Sequence, residues 1–161
     1  MVEIKSHSGI YTLKTVQELN IPITQAWDFF SSPKNLQEIT PNQMGFRITS
    51  DLDKDVYPGQ IITYKVGIFP GVKQNWVTEI THVKEHEFFI DEQRFGPYSM
   101  WHHEHWFEAL SNDTTKIIDK VSYKIPLGVL GRILQQIFIK KKLIEIFEHR
   151  YTTLDKLFNE K

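Results

Sequence analysis

The stretch from Pro126 to Phe158, PLGVLGRILQQIFIKKKLIEIFEHRYTTLDKLF, restricts the fold more than any other part of the chain. Leu130, Ile137, Ile144, Tyr151 and Phe158 recur every seven residues, and Phe147 and Leu154 fill i+3 positions between them. That spacing predicts an apolar stripe along one side of a helix. No proline interrupts the run after Pro126, so the expectation is one unbroken helix roughly 45 Å long. A helix of that length needs a broad apolar partner surface, against which Ile144, Phe147, Tyr151 and Leu154 are expected to be buried. Its first half is apolar on more than one side, at Leu127, Val129, Leu130, Ile133, Leu134, Ile137, Phe138 and Ile139. This reads either as a deeply buried helix start or as the lining of a cavity or its mouth.

The preceding sequence supplies the partner. Gly9 to Ile21 reads as a strand. Ile23 to Phe30 follows as a short amphipathic helix with Thr24 as its expected N-cap, and Pro33 starts a second short helix that runs to Ile39. From Phe46 onward the pattern is strands and turns: Phe46 to Ser50, Gln60 to Ile68, Lys73 to Val83, Glu87 to Arg94, Tyr98 to Leu110 and Thr114 to Ile125. Pro70-Gly71, Gly96-Pro97 and Ser111-Asn112-Asp113 mark turns between them. Such short spacing favours antiparallel hairpins. The order is one strand, two short helices, six strands and one long helix. That order predicts an α+β domain, a curved seven-stranded antiparallel sheet around the C-terminal helix. No linker or repeat divides the 161 residues, so residues 1–161 read as one domain.

A net charge of −1 argues against general nucleic-acid binding. With no cysteine, neither a disulfide framework nor a thiolate metal site can form. The N-terminus lacks an apolar signal core, and no window reaches the length of a membrane span, so a cytoplasmic location is expected. Eleven Phe, six Tyr and four Trp suit a cavity wall and an ordinary β core equally.

The element order resembles the helix-grip fold of the SRPBCC superfamily, which includes START lipid-transfer domains, the birch pollen allergen, polyketide cyclases and coenzyme Q chaperones. The residues that carry the resemblance to a bacterial ligand-binding branch are Asp91-Glu92-Gln93, Gly96-Pro97-Tyr98, Trp101-His102-His103-Glu104-His105 and Phe107. It continues through Asp119, Tyr123, Pro126-Leu127-Gly128, Leu130-Gly131, Ile146-Phe147 and Arg150. The resemblance implies a hollow between sheet and long helix that holds a small apolar or amphipathic ligand. It implies no reaction, because carriers and cyclases share the fold.

The densest polar cluster is Trp101 to Phe107. Strand parity puts Trp101, His103, His105 and Phe107 on one face, and His102, Glu104, Trp106 and Glu108 on the other. The second set carries more charge and is assigned outward. The hairpin through Asp113 offers a register with His105 opposite Asp119 and His103 opposite Val121. A His105–Asp119 pair reads either as a structural link between strands or as an acid/base pair. His103 and His105 have H-x-H spacing with Asp119 as a third candidate metal ligand, but no second histidine strand supports it, so no metal or other cofactor is expected. No G-x-S-x-G accompanies Ser99 or Ser122. Gly128 and Gly131 read as a tight turn and close packing. Of Lys140, Lys141 and Lys142, one must point near the sheet; a solvated face explains the other two, and a membrane-surface contact is the rival reading.

The expected ligand-binding residues are Tyr64, Trp76, Thr78, Trp101, His103, His105, Phe107, Asp119, Tyr123 and Phe147, around a pocket of roughly 300–1,000 Å³. The expected function is a non-catalytic carrier or sensor of a small hydrophobic ligand. The alternatives are a cyclase/aromatase-type enzyme using His105 and Asp119, and a homodimeric module that pairs through the apolar helix start.

Overall fold

The computed structural model describes residues 2–51, 55–69 and 72–160. The Pro70-Gly71 turn lies outside them. Among the described residues, eight strands form one antiparallel sheet in the order β1-β2-β8-β7-β6-β5-β4-β3. They are β1 (Glu3–His7), β2 (Ile10–Leu19), β3 (Arg47–Ile48), β4 (Ile61–Phe69), β5 (Val72–Lys84), β6 (Phe88–Phe95), β7 (Met100–Ala109) and β8 (Thr115–Lys124). The helices are α1 (Ile23–Phe30), α2 (Gly128–Leu134) and α3 (Lys140–Phe158), with short 3-10 turns at Pro33–Gln37 and Asn42–Met44. The α+β architecture matches the expectation, and six of the seven expected strands run close to their expected bounds. Phe46 to Ser50 contracts to the two residues of β3.

β1 is a strand beyond the seven expected. It pairs with β2 through a two-residue turn in which Ser8 and Gly9 have φ of 50° and 78°. Two positive φ values in succession suit the right-handed twist of a hairpin, and a Ser-Gly dipeptide is the local signal for such a turn. The sheet therefore has eight strands, not seven. At α1, Pro22 rather than Thr24 is the capping position, and the helix begins at Ile23.

The C-terminal run is not one unbroken helix. A five-residue π turn, Gln135–Ile139, separates α2 from α3. Each such turn takes more residues per revolution than an α-helix, so the phase of the stripe changes there. Gln135 turns inward, is buried, and its Nε2 donates to Tyr123 Oη at 2.7 Å. Below the π turn the buried face is Leu143, Phe147, Arg150 and Leu154, a true helical repeat of four, three and four residues. The heptad set lies off this face: Tyr151 and Ile137 are exposed, and Ile144 is half-buried. The expected stripe omitted Arg150, the charged member around which the real one is centred. Above the π turn, Leu127, Val129, Leu130 and Ile133 face solvent. They are neither core nor cavity wall, whereas Ile139 is buried in the core and Phe138 packs against it, so the reading of a buried helix start holds only at its end. Gly131 is the buried residue of α2, where an added Cβ would lie 2.0 Å from the Pro126 carbonyl oxygen. Gly128 has φ of 54° directly after Leu127 at 73°, a left-handed turn that glycine eases.

Two apolar clusters fill the concavity. One gathers Leu13, Val66, Trp76, Tyr98, Val121, Tyr123, Leu143 and Phe147. The other gathers Leu19, Trp27, Phe30, Phe89, Phe107, Ile117 and Leu154. Phe147 belongs to the first and Phe30 to the second, and the Arg150 guanidinium lies 6.0 Å from one ring and 5.4 Å from the other. A charged side chain thus sits at the seam between two apolar bodies.

Candidate functional site

Strand register assembles the site. His105 pairs with Asp119 across β7 and β8, and His103 pairs with Val121, as the hairpin through Asp113 requires. On the other side of β7, His103 pairs with Asp91 and His105 with Phe89. Alternation sends Asp91, His103, His105 and Asp119 to the concave face, while His102 and Glu104 turn outward to Glu92 and Lys120.

The side chains pair diagonally rather than straight across. His103 Nε2 lies 3.0 Å from Asp119 Oδ1, and His105 Nε2 lies 2.9 Å from Asp91 Oδ2, both in hydrogen-bond alignment. His105 Nδ1 is also 3.0 Å from Asp119 Oδ1, but out of line, so this nitrogen has no aligned partner. His103 Nδ1 is 3.4 Å from Asp91 Oδ2. The expected His105–Asp119 hydrogen bond is therefore replaced by one from His103, because side chains lean along their strands and reach diagonal neighbours. Arg150 Nη2 completes the group at 3.4 Å from the same Asp119 oxygen. The two imidazole centroids are 3.7 Å apart, and Phe89 stacks on His105 at 4.2 Å.

Burial opposes charge on both aspartates, yet their partners prevail. The charge of Arg150, the hydrogen bond from His103 and the close approach of His105 hold Asp119 well below the usual carboxylate range. The charges and hydrogen bonds of His103 and His105 do the same for Asp91. For His103, desolvation is outweighed by the Asp91 charge and the bond to Asp119, so its pKa is raised. Burial raises Tyr64 and Tyr98 far above the phenol range, and pushes Tyr123 up to about 12 despite the Gln135 bond.

A cavity of about 190 Å³ opens over this floor. It is smaller than expected because aromatic rings crowd it. Of the expected ligand-binding residues, Tyr64, Trp76, Thr78, Trp101, His103, His105 and Phe147 line it. Thr78 Oγ1 fixes two of the walls, accepting the Trp76 indole N–H at 3.0 Å and pairing with the Tyr64 hydroxyl. Three expected residues stand elsewhere. Phe107 packs on Trp27 and Phe30 in the second cluster. Asp119 lies behind the histidines, and Tyr123 stacks on Tyr11. Asp91, Arg150 and Lys142 line the cavity but were not among the expected site residues. Asp91 was within reach of the sequence by counting across the Gly96-Pro97 turn. Lys142 is the one of three lysines that points near the sheet.

No family model matches the chain, and no curated protein matches it. Solved structures do. Protein Ms6760 from Mycobacterium smegmatis aligns with 98% of this chain and 97% of its own, at TM-score 0.65 and 20% identity. A START superfamily protein from the same organism covers 92% and 97%, at TM-score 0.69 and 15% identity. The Zhui aromatase/cyclase from Streptomyces sp. R1128 covers 91% and 94%, at TM-score 0.67 and 9% identity. At these identities the likeness establishes the helix-grip fold. Among the described residues, no helix is long and apolar enough to cross a membrane.

Proposed function

We propose that this protein holds a small apolar or amphipathic ligand in the cavity, as a carrier or sensor without chemistry of its own. The observation that carries the reading is a half-open cavity with mainly apolar and aromatic walls and a cluster of ionisable groups, Asp91, His103 and His105, on its floor, the usual build of a ligand pocket. Its volume of about 190 Å³ exceeds the roughly 150 Å³ of an engineered apolar cavity that takes up benzene. A one-ring ligand fits without rearrangement. Its oxygen-bearing end would face Asp91, His103 and His105, within the field of Arg150 and Lys142.

The test is native mass spectrometry of protein purified gently from its own host, followed by thermal melts with a panel of one-ring phenols and carboxylic acids. A releasable small-molecule adduct, or a saturable rise in melting temperature, is expected. No adduct together with no shift across the panel would sink the reading.

Catalysis is the second reading, favoured by the oriented His–Asp contacts and by the name of the cyclase that shares the fold. In that case an imidazole moves a proton while Asp119 orients it. Multiple turnovers by the wild type, abolished in Asp119→Asn while binding persists, would establish it over the carrier.

A further inference from the structure

We propose that Asp91, His103 and His105 form a divalent transition-metal site on the cavity floor, with Asp119 as the carboxylate that orients both histidines. The donors are Asp91 Oδ2, His103 Nδ1 and His105 Nε2. The carboxylate oxygen lies 3.4 Å from the first nitrogen and 2.9 Å from the second, and the three residues can each offer a ligand atom within 4.8 Å of the others. A cation with bonds of about 2.0–2.2 Å to His and Asp spaces its ligands about 3–3.5 Å apart. The three donors need little more than a side-chain adjustment to receive one.

The opposite nitrogens strengthen the assignment. His103 Nε2 and His105 Nδ1 both lie 3.0 Å from Asp119 Oδ1. A metal-bound histidine characteristically gives its other N–H to a carboxylate, which fixes the tautomer. Asp119 serves two rings at once, and Arg150 at 3.4 Å sustains its charge. Donor counting points the same way. Two neutral imidazoles offer two N–H groups to four contacts with carboxylate oxygens. Once His105 tilts to bring its Nδ1–H, now 3.0 Å from Asp119 Oδ1 but out of line, onto that oxygen, both N–H groups lie on Asp119, two lone pairs face Asp91, and a cation there satisfies both.

Metal choice follows from the donor set. Two imidazoles and one carboxylate, with no cysteine in the chain, suit Zn²⁺ or Fe²⁺ rather than an all-oxygen cation. Asp91, His103 and His105 all line the cavity, so remaining coordination positions open toward it. An oxygen-bearing group or water would complete the shell. The triad differs from the His103, His105 and Asp119 set that spacing suggested, since Asp119 sits behind the rings and Asp91 in front of them.

The experiment loads metal-stripped protein with Zn²⁺, and separately with Co²⁺. Stoichiometry is read by elemental analysis, and coordination by the visible Co²⁺ spectrum. About one equivalent is expected, with imidazole ¹⁵N shifts at His103 Nδ1 and His105 Nε2. Asp91→Asn and His105→Gln should weaken binding more than about 100-fold, and Asp119→Asn about 10–100-fold, the span typical of an orienting carboxylate. His7→Ala and His149→Ala should change nothing. Circular dichroism checks that each variant is folded, and the wild-type ¹⁵N shifts decide the matter if one is not. Absence of saturable binding, shifts confined to other histidines, or undiminished binding in Asp91→Asn would overturn the site. No organic ligand is needed for any of these readouts, so failure here leaves the carrier reading standing, and the reverse.

Discussion

Along α3, Leu143, Phe147 and Leu154 are almost wholly buried, whereas Val129, Leu130 and Ile133 on α2 are 63, 56 and 48% exposed. The two helices follow one another on a single C-terminal arm and are similarly rich in large apolar residues. Arg150 on α3, at 7% exposure, is far more buried than Leu130 on α2. Residue type therefore does not decide burial here; the presence of a partner does. Over α3 the sheet offers two apolar clusters and, at their seam, a carboxylate for the guanidinium. Against α2 stands the Ile125-Pro126 connection, which meets Gly131.

The contrast can be broken most sharply at Phe147. Phe147→Ala should cost about 3–5 kcal/mol, the range for a buried phenylalanine, in urea unfolding. A loss under ~1 kcal/mol would place α3 no deeper than α2. Arg150→Met should cost about 3 kcal/mol, the low end for breaking a buried ion pair, because the two histidines still support Asp119. If this variant were more stable than wild type, the seam would be an apolar site carrying an unneeded charge. Gly131→Ala tests the buried point of α2. The added methyl meets the Pro126 carbonyl, and overpacking of this kind costs about 1–3 kcal/mol, more than the roughly 1 kcal/mol that alanine gains over glycine in a helix. A stabilised Gly131→Ala would mean that α2 is not held at that point. Smallest of all, Leu130→Ser and Ile133→Ser should each stay within about 0.5 kcal/mol of wild type. Losses near those of Phe147→Ala would show that α2 is covered in solution.

Much of the fold was legible because alternation in β8 and the turn signals at Gly96-Pro97 and Asp113 fix strands and register together. One count across the Asp113 hairpin placed His105 opposite Asp119 correctly. Which atoms then bond was not legible, since register positions backbones while the lean of side chains selects His103 for Asp119. The π turn was hidden for a related reason. A seven-residue repeat through Leu130, Ile137 and Ile144 is continuous in sequence, and nothing in it marks the extra residue that shifts the phase. Arg150 was passed over because a charge has no place in an apolar stripe until its partner is known. β1 was missed although Ser8-Gly9 announced its turn.

On the carrier reading, ligands enter the cavity above the polar floor rather than adhere to the apolar face of α2. Four tryptophans divide the molecule for this purpose: Trp76 and Trp101 line the cavity, Trp27 lies in the second apolar cluster, and Trp106 is partly exposed on the outward side of β7. Titration with 4-bromophenol, whose heavy atom quenches indole emission on contact, tests the claim directly. Saturable quenching is expected in the wild type and should disappear in a folded Trp76→Phe/Trp101→Phe variant, with Trp27 and Trp106 emission unchanged. No saturable quenching in the wild type, or quenching that survives in the double variant, would contradict it.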